Sequence, residues 1–366
     1  MAKISKREDP IADAIDEHHA EIKEAPRPHM GASGLGHHCD RWIWLSFRWA
    51  VREKFPGRIK RLFRRGHNEE ATIQADLEAI GVKFQNTGAD QEYVNLGGHL
   101  GGSTDGIALS GIPGGGMQRH VVEYKTHALR SFNDLLIKGV KDSKPAHFAQ
   151  MQLYMHGLNI KWALYVAVCK NDDRIYTERV KYDPDAAQSL LERGQRLSTA
   201  ERMPDPISTD SSWYQCKMCP AHGFCHGSKL TKQINCRTCA RSTPTPDGKW
   251  GCARWDANDV APEHQEVGCE AHVLHPDLVP WPIKDSNHPD EAVYDINGTD
   301  VRNGEPGDNT FSSAELIASN GDVAHDIVIE ARKVFPGSRI TGVIETDEDG
   351  ASGASAASPV VQSEPS

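Results

Sequence analysis

The sequence predicts an α/β protein, helices around a mixed sheet, followed by a small cysteine-rich module and an acidic tail. Three observations carry this. Between residues 58 and 199, stretches with apolar residues every three to four positions alternate with stretches of period two, the spacings that separate helix from strand. Cys236, Cys239, Cys252 and Cys269 then fall in a Gly-, Pro- and Trp-bearing segment too short to bury a core of its own without a metal. From residue 292 the composition turns to Asp, Gly, Asn and Ser, and from 347 to an Ala, Gly and Ser run of the kind that stays disordered.

The elements follow in order. Residues 1–30 read as a helical arm, with an acidic, histidine-bearing helix from Asp9 to Glu24. The run from Arg41 to Val51 is apolar on nearly every side, which predicts a helix packed on two faces. Its tryptophans suit a core, although such rings also stack on bases. Arg58 to Ile80 is a second helix, closed by Gly81. Strands are expected at Val82–Gln85 and Glu92–Leu96, and the glycines of 97–102 as a bend that brings backbone close to a site. A hairpin spans Gly101 to Lys125 around the turn Ile112–Met117. Helices at Leu129–Lys138 and Pro145–Leu158 precede a hairpin, Trp162–Cys169 with Arg174–Tyr182, and a helix from Asp183 to Thr199. Further on, Ser312–Val334 holds a short helix and Ser338–Ile344 a short strand.

The net charge of −10 is unevenly spread. Residues 286–366 carry 15 Asp plus Glu against 4 Lys plus Arg, so the remainder is close to neutral. Nine basic residues lie between 41 and 65, namely Arg41, Arg48, Arg52, Lys54, Arg58, Lys60, Arg61, Arg64 and Arg65. Such a stretch attracts a phosphate backbone. No apolar run is long enough to span a membrane, and the polar N-terminus is no signal peptide, so a soluble cytoplasmic protein is expected. The short spacings among the nine cysteines point to metal sites in a reducing compartment rather than to disulfides.

The chemistry centres on the hairpin. Glu123 and Lys125 share one strand face, and Asp105 opens the neighbouring strand. Two carboxylates on adjacent strands repel unless a cation lies between them, and a hard divalent ion with oxygen ligands is the usual answer. A lysine beside them is placed to orient a water or steady charge on a phosphate, which suits phosphodiester hydrolysis. The plainer alternative is a salt-bridged strand face with Asp105 in a turn.

Asp105, Glu123-x-Lys125 and Gln150-x-x-x-Tyr154, preceded by Gly66-His67-Asn68-Glu69-Glu70, together resemble the PD-(D/E)XK nuclease superfamily, in its RecB-like and phage exonuclease branch. The resemblance spans residues 33–226 and implies a restriction-endonuclease-like core over 31–230. It implies Mg2+ or Mn2+ held by Asp105, Glu123, the Tyr124 carbonyl and either Glu70 or His67. Lys125 would assist the water, Gln150 and Tyr154 would support the site and the DNA, and hydrolysis would leave a 5′-phosphate. Cys39 with Cys216, Cys219 and Cys225 resembles the set that holds a [4Fe-4S] cluster in some RecB-like nucleases, zinc being the other ion four thiolates take. For the second set, Cys236, Cys239, Cys252 and Cys269, zinc is expected in a zinc-ribbon-like module at 231–285, with His272 the alternative fourth ligand. Residues 286–346 would be an acidic linker and 347–366 a disordered tail.

The resemblance thus implies a metal-dependent DNA exonuclease of phage recombination or DNA processing, with DNA and a single-strand annealing or binding protein as partners. An endonuclease on branched or flapped DNA, or an inactive DNA-binding or assembly protein on the same scaffold, are the alternatives. The basic residues expected against DNA are Arg41, Arg58, Lys60, Arg61, Arg64 and Arg65.

Overall fold

A computed structural model describes residues 9–286, 288, 290–307, 310–324, 326–335 and 338–340. The chain alternates between two units, Met1–His38 with Glu53–Ser198, and Cys39–Arg52 with Thr199–Ser366. The core expected to run from 31 to 230 therefore gives up 39–52 and 199–230 to the second unit. The disordered tail expected at 347–366, and the strand at 338–344 beyond residue 340, lie outside the described residues. No helix among the described residues is long and apolar enough to cross a membrane.

In the first unit, helix α1 (Pro10–Glu21) begins at Asp9, whose carboxylate accepts the Ala12 N–H at 3.1 Å and so satisfies an orphan donor. β1 (Met30–Gly31) and α2 (Ala32–Leu35) follow, while α3 (Asp40–Phe47) belongs to the other unit. α4 (Gly57–Ala79) ends just before Gly81, whose φ of +98° suits glycine. α1 lies along α4: Arg61 pairs with Asp16 at 2.8 Å, and Lys60 Nζ donates to the Ala20 carbonyl at 3.0 Å. A Cβ on Gly57 would stand 1.8 Å from the Asp16 carbonyl oxygen, so this approach depends on glycine.

The strands are β2 (Lys83–Gln85), β3 (Tyr93–Gly97), β4 (Leu100–Ser103), β5 (Gly106–Ser110), β6 (His120–His127), β7 (Trp162–Cys169) and β8 (Ile175–Lys181). One mixed sheet runs β2-β5-β6-β7-β8, and a smaller one β1-β4-β3. β5 is antiparallel to β6, with Gly106 opposite Val122; β6 is parallel to β7, with Glu123 opposite Tyr165. A parallel pair needs a crossover. It is made by α5 (Leu129–Ser143), broken at Gly139 where φ is +72°, and α6 (Pro145–Gly157). α7 (Pro184–Ser198) completes the unit.

Val122 and Tyr124 of β6 join Ile73, Val82, Ala108, Leu164 and Val166 in an apolar cluster, where each buried aliphatic side chain contributes ~1.5–3 kcal/mol. Alternation sends Glu123, Lys125 and His127 to the opposite face. The stretch 97–102, expected as a bend, is a tight turn followed by a strand: Gly97 and Gly98 take φ of +92° and +53°, and β4 follows. Its glycines admit phenols. A Cβ on Gly101 would lie 2.1 Å from Tyr93 Oη, and one on Gly102 2.5 Å from Tyr154 Oη.

In the second unit, Trp44 and Leu45 of α3 cluster with Ala50, Ala221, Phe224 and Leu278. Arg237 is almost wholly buried, its guanidinium 3.7 Å from the Trp49 ring centre and 4.9 Å from that of Trp250, and its Nη1 donates to the Phe47 carbonyl at 2.9 Å. These tryptophans therefore serve packing and cation–π contacts. The unit continues through α8 (Tyr214–Lys217), α9 (His222–His226), the hairpin β9 (Ser242–Pro244) and β10 (Trp250–Cys252), and α10 (Pro262–Val267). A four-stranded sheet follows, β11 (Ile283–Asp285), β12 (Glu291–Ile296), β13 (Thr299–Gly304) and β14 (Thr310–Phe311), with α11 (Ser313–Ala318) and α12 (Asp326–Val334). Of the segment expected as an acidic linker at 286–346, the described residues up to 340 are thus largely in strands and helices. Leu274, Tyr294, Ile296, Val301, Phe311 and Leu316 share one apolar core, and part of its charge is internal, since buried Glu315 pairs with buried Arg332.

Because α1 buries none of its residues, its hold on α4 is local. Gly57→Val should release the arm, raising proteolysis within residues 9–24 while the melting temperature of the protein falls by no more than a few degrees.

Candidate active site

Asp105 precedes β5, and its Oδ2 accepts the Tyr124 N–H at 2.8 Å. Lys125 Nζ donates to the Tyr124 carbonyl at 2.9 Å, pairs with Glu123 Oε1, and lies 3.9 Å from Asp105 Oδ2. The ammonium thus faces the two carboxylates and the carbonyl that the resemblance gives to a divalent ion. Glu123 is fully buried, and apart from that ion pair neither of its oxygens has a hydrogen-bond donor among the described residues. Such an acid invites a cation, because an ionised carboxylate out of water needs a partner.

The electrostatics agree. Burial pushes the Glu123 carboxyl up to about 7; Lys125 opposes this, and Asp105 and Glu70 add to it. For Lys125 burial alone would lower the pKa, but Glu123 and Asp105 outweigh it and hold the amine well above its ordinary value. Lys125 is therefore an ammonium, a donor rather than a base.

The two helical candidates on α4, Glu70 and His67, differ in their surroundings. The Glu70 carboxyl is raised by burial and by Asp105, and His67 and then Lys125 work the other way. His67 instead turns its Nδ1 to the Phe63 carbonyl of its own helix at 3.0 Å. On α6, Gln150 and Tyr154 are buried. The Tyr154 hydroxyl is hydrogen-bonded by Gln150, and its pKa is raised by burial, then by Glu123 and Asp105.

The basic residues divide. Arg58, Arg61, Leu62, Arg64, Arg65 and Asn68 line a cleft of about 440 Å3 on α4. Lys60 and Arg61 are held by α1, and Arg64 Nη1 lies 3.4 Å from His19 Nε2. Arg41, expected with this group, belongs to the second unit, where it donates to the Pro204 carbonyl at 2.7 Å and bonds Cys225.

No disulfide joins any of the nine cysteines. Cys219 is pushed up to about 11 by burial and by the thiols of Cys39, Cys225 and Cys216. Cys236 rises to about 12 by burial and by Cys239, Cys269 and Cys252. Each set is therefore gathered, and Cys239 Sγ accepts N–H groups of Arg241 at 3.4 Å and Val273 at 3.5 Å, contacts that favour a thiolate. Among the described residues no group of three or more His, Cys, Asp or Glu is placed to hold a metal ion, and this applies to both cysteine sets and to the acidic cluster alike. His272 is no alternative ligand. It is buried, with Nε2 at 3.1 Å from Thr238 Oγ1 and Nδ1 at 2.7 Å from Ser313 Oγ, so both ring nitrogens are engaged.

Sequence reasoning passed over three polar residues beside the acidic cluster, His127, His147 and Tyr165. The signal was available for two of them. His127 continues the Glu123, Lys125 alternation, and His147 lies one turn before Gln150.

No protein-family model matches the chain, and no curated protein matches it. Among solved structures it is similar to the crystal structure of SSO0001, at a TM-score of 0.34 and 17% identity over 58% of this chain and 91% of that one. It is also similar to LHK-Exo, an alkaline exonuclease from Laribacter hongkongensis, at a TM-score of 0.31 and 15% identity. The dAMP complex of LHK-Exo gives 0.33 and 14%. In both comparisons with LHK-Exo, 50% of this chain and 90% of the other are covered. These likenesses are remote.

The raised Glu123 carboxyl has a consequence for stability. Folded, it holds its proton up to about 7, against 4.5 ordinarily, so its contribution is full below the ordinary value and is lost as pH rises towards 7. The slope is at most about 1.4 kcal/mol per pH unit. Glu123→Gln, which cannot titrate, should flatten the fall in melting temperature between about pH 5 and 8 in EDTA; an unchanged slope means the carboxyl titrates elsewhere.

Proposed function

We propose that the protein is a Mg2+- or Mn2+-dependent deoxyribonuclease, and an exonuclease of DNA recombination or processing, similar to those of phages. The observation that carries this is the convergence of Asp105, Glu123 and the Tyr124 carbonyl on one ammonium, with Glu70 close by. Two carboxylates and a carbonyl suit a hard divalent ion, and the donor-poor oxygens of Glu123 fit one. Asp105, Glu123, the Tyr124 carbonyl and Glu70 would hold it, and it would supply Lewis acidity toward water and phosphate. Lys125, freed from its carboxylates, donates to the attacking water or to a phosphate oxygen. Tyr154 and Gln150 buttress the same pocket through their hydrogen bond. Arg58, Arg65 and Asn68 offer the phosphate backbone a cleft.

The two cysteine sets are proposed as structural metal sites, iron–sulfur at Cys39, Cys216, Cys219 and Cys225, and zinc at Cys236, Cys239, Cys252 and Cys269. What supports this is their mutual electrostatic influence, set by set.

Asp105→Ala and Lys125→Ala should each abolish Mg2+-dependent cleavage of linear duplex DNA, with circular dichroism unchanged. Wild-type protein that degrades no linear, nicked or single-stranded DNA in either ion defeats the proposal. Arg58→Ala and Arg65→Ala should each lower the salt slope of DNA binding by about 1. Protein purified without air should contain both iron and zinc; a colourless preparation with zinc alone removes the cluster.

A further inference from the structure

A hydrogen-bonded chain runs beside the acidic cluster. Tyr165 stands opposite Glu123 across β6 and β7 and is wholly buried. Its hydroxyl lies 2.8 Å from His127 Nε2 and 2.9 Å from His147 Nδ1. Ser131 Oγ lies 3.4 Å from His127 Nδ1. The three rings are within 27° of parallel. His127 shares its strand face with Glu123 and Lys125, and His147 shares its helix face with Gln150 and Tyr154. All seven side chains therefore belong to the space between β6, β7 and α6.

A tyrosine hydroxyl has one proton to give, so the chain runs in one of two senses. In one, Ser131 donates to His127 Nδ1, His127 Nε2–H donates to Tyr165, and Tyr165 O–H donates to His147 Nδ1. His147 then presents Nε2–H at the open end. In the other, every bond is reversed and His147 presents a lone pair. Both imidazoles are neutral near pH 7, His127 held at about 4 by burial and by Lys144 and Lys125, and His147 at about 3 by burial and by Lys125. Neither can therefore add a charge. His147 Nε2 has no partner among the described residues, and its ring is half-buried. A polar group so firmly oriented at one nitrogen and open at the other is built to meet something from outside.

Resting on the nuclease reading above, we propose that His147 Nε2–H donates to a non-bridging oxygen of the phosphodiester bound at this site, with Tyr165, His127 and Ser131 as positioning residues that fix its tautomer. An anionic phosphate selects the first sense of the chain, because the second would set a lone pair against a negative oxygen. Its neutral donor adds direction where Lys125 adds charge, and a fixed donor aimed at developing phosphate charge accelerates the chemical step more than it tightens binding.

The test begins with wild-type protein on linear duplex DNA in Mg2+. No cleavage there defeats the nuclease reading itself. Given cleavage, His147→Ala should lower kcat by about tenfold to a hundredfold with KM within about twofold, and His147→Gln, which retains an N–H donor, should recover part of it. Tyr165→Phe keeps the ring and severs the chain, and should lower kcat in the same way. Spectra of 15N-histidine-labelled wild type, bound to duplex DNA in Ca2+, should show His147 as the Nε2–H tautomer, and this should be lost in Tyr165→Phe. Full kcat in a folded His147→Ala overturns the proposal. So does an Nδ1–H tautomer in the DNA complex, a readout that needs no variant to fold.

Discussion

The first unit depends on one ammonium group held among acids. Glu123 has no exposed surface, and Lys125 is what meets its carboxylate. Removing either partner of a buried pair leaves a stranded charge, at a cost of ~3–5 kcal/mol. Such a pair is weak as a source of stability and strong as a constraint on register. A slip of one residue along β6 would turn Glu123 and Lys125 into the apolar face and Val122 and Tyr124 out of it. The parallel register with β7 and the antiparallel register with β5 are therefore fixed by charge as well as by apolar packing. Asp105 tightens this by accepting the Tyr124 N–H, which ties the start of β5 to the middle of β6.

The second unit uses a different device. Arg237, between Cys236 and Cys239, is enclosed by Trp49, Trp250 and Phe47, and Arg48 donates to its carbonyl at 3.2 Å. Burial lowers both guanidinium pKa values, to about 9 for Arg237 and about 10 for Arg48, yet ring faces and carbonyls keep them satisfied. The cysteine-bearing segment is thereby held to Phe47 at the end of α3 and to Arg48 and Trp49 just beyond it.

Much of this was legible from period alone. The helices at 58–80 and 145–158, and the hairpin on either side of Asn171, follow from apolar spacing, and the structure moves their ends by at most one residue. What was not legible needed contacts between distant residues. His67 and Glu70 share a helix face, so spacing could not choose between them; what distinguishes their surroundings is the Phe63 carbonyl beside one and the Asp105 carboxylate acting on the other. The glycines of β4 look like a bend until Tyr93 and Tyr154 are seen to fill the space their missing side chains leave. Composition misled at 286–340, where Glu315 and Arg332 count as surface charge in a sequence but neutralise each other inside a core. For His272, nothing local announces that Thr238 and Ser313 take both its nitrogens.

The position of α3 in the chain bears on how the molecule is made. Its indole and carbonyl groups find their partners at Ala200 and Arg237, 156 to 190 residues downstream. At ~5–20 residues per second, synthesis of that intervening stretch takes roughly 10–40 s. Throughout this interval Trp44 and Leu45 wait for Ala221, Phe224 and Leu278, the residues they cluster with in the folded unit, so the apolar face of α3 is completed only late in synthesis.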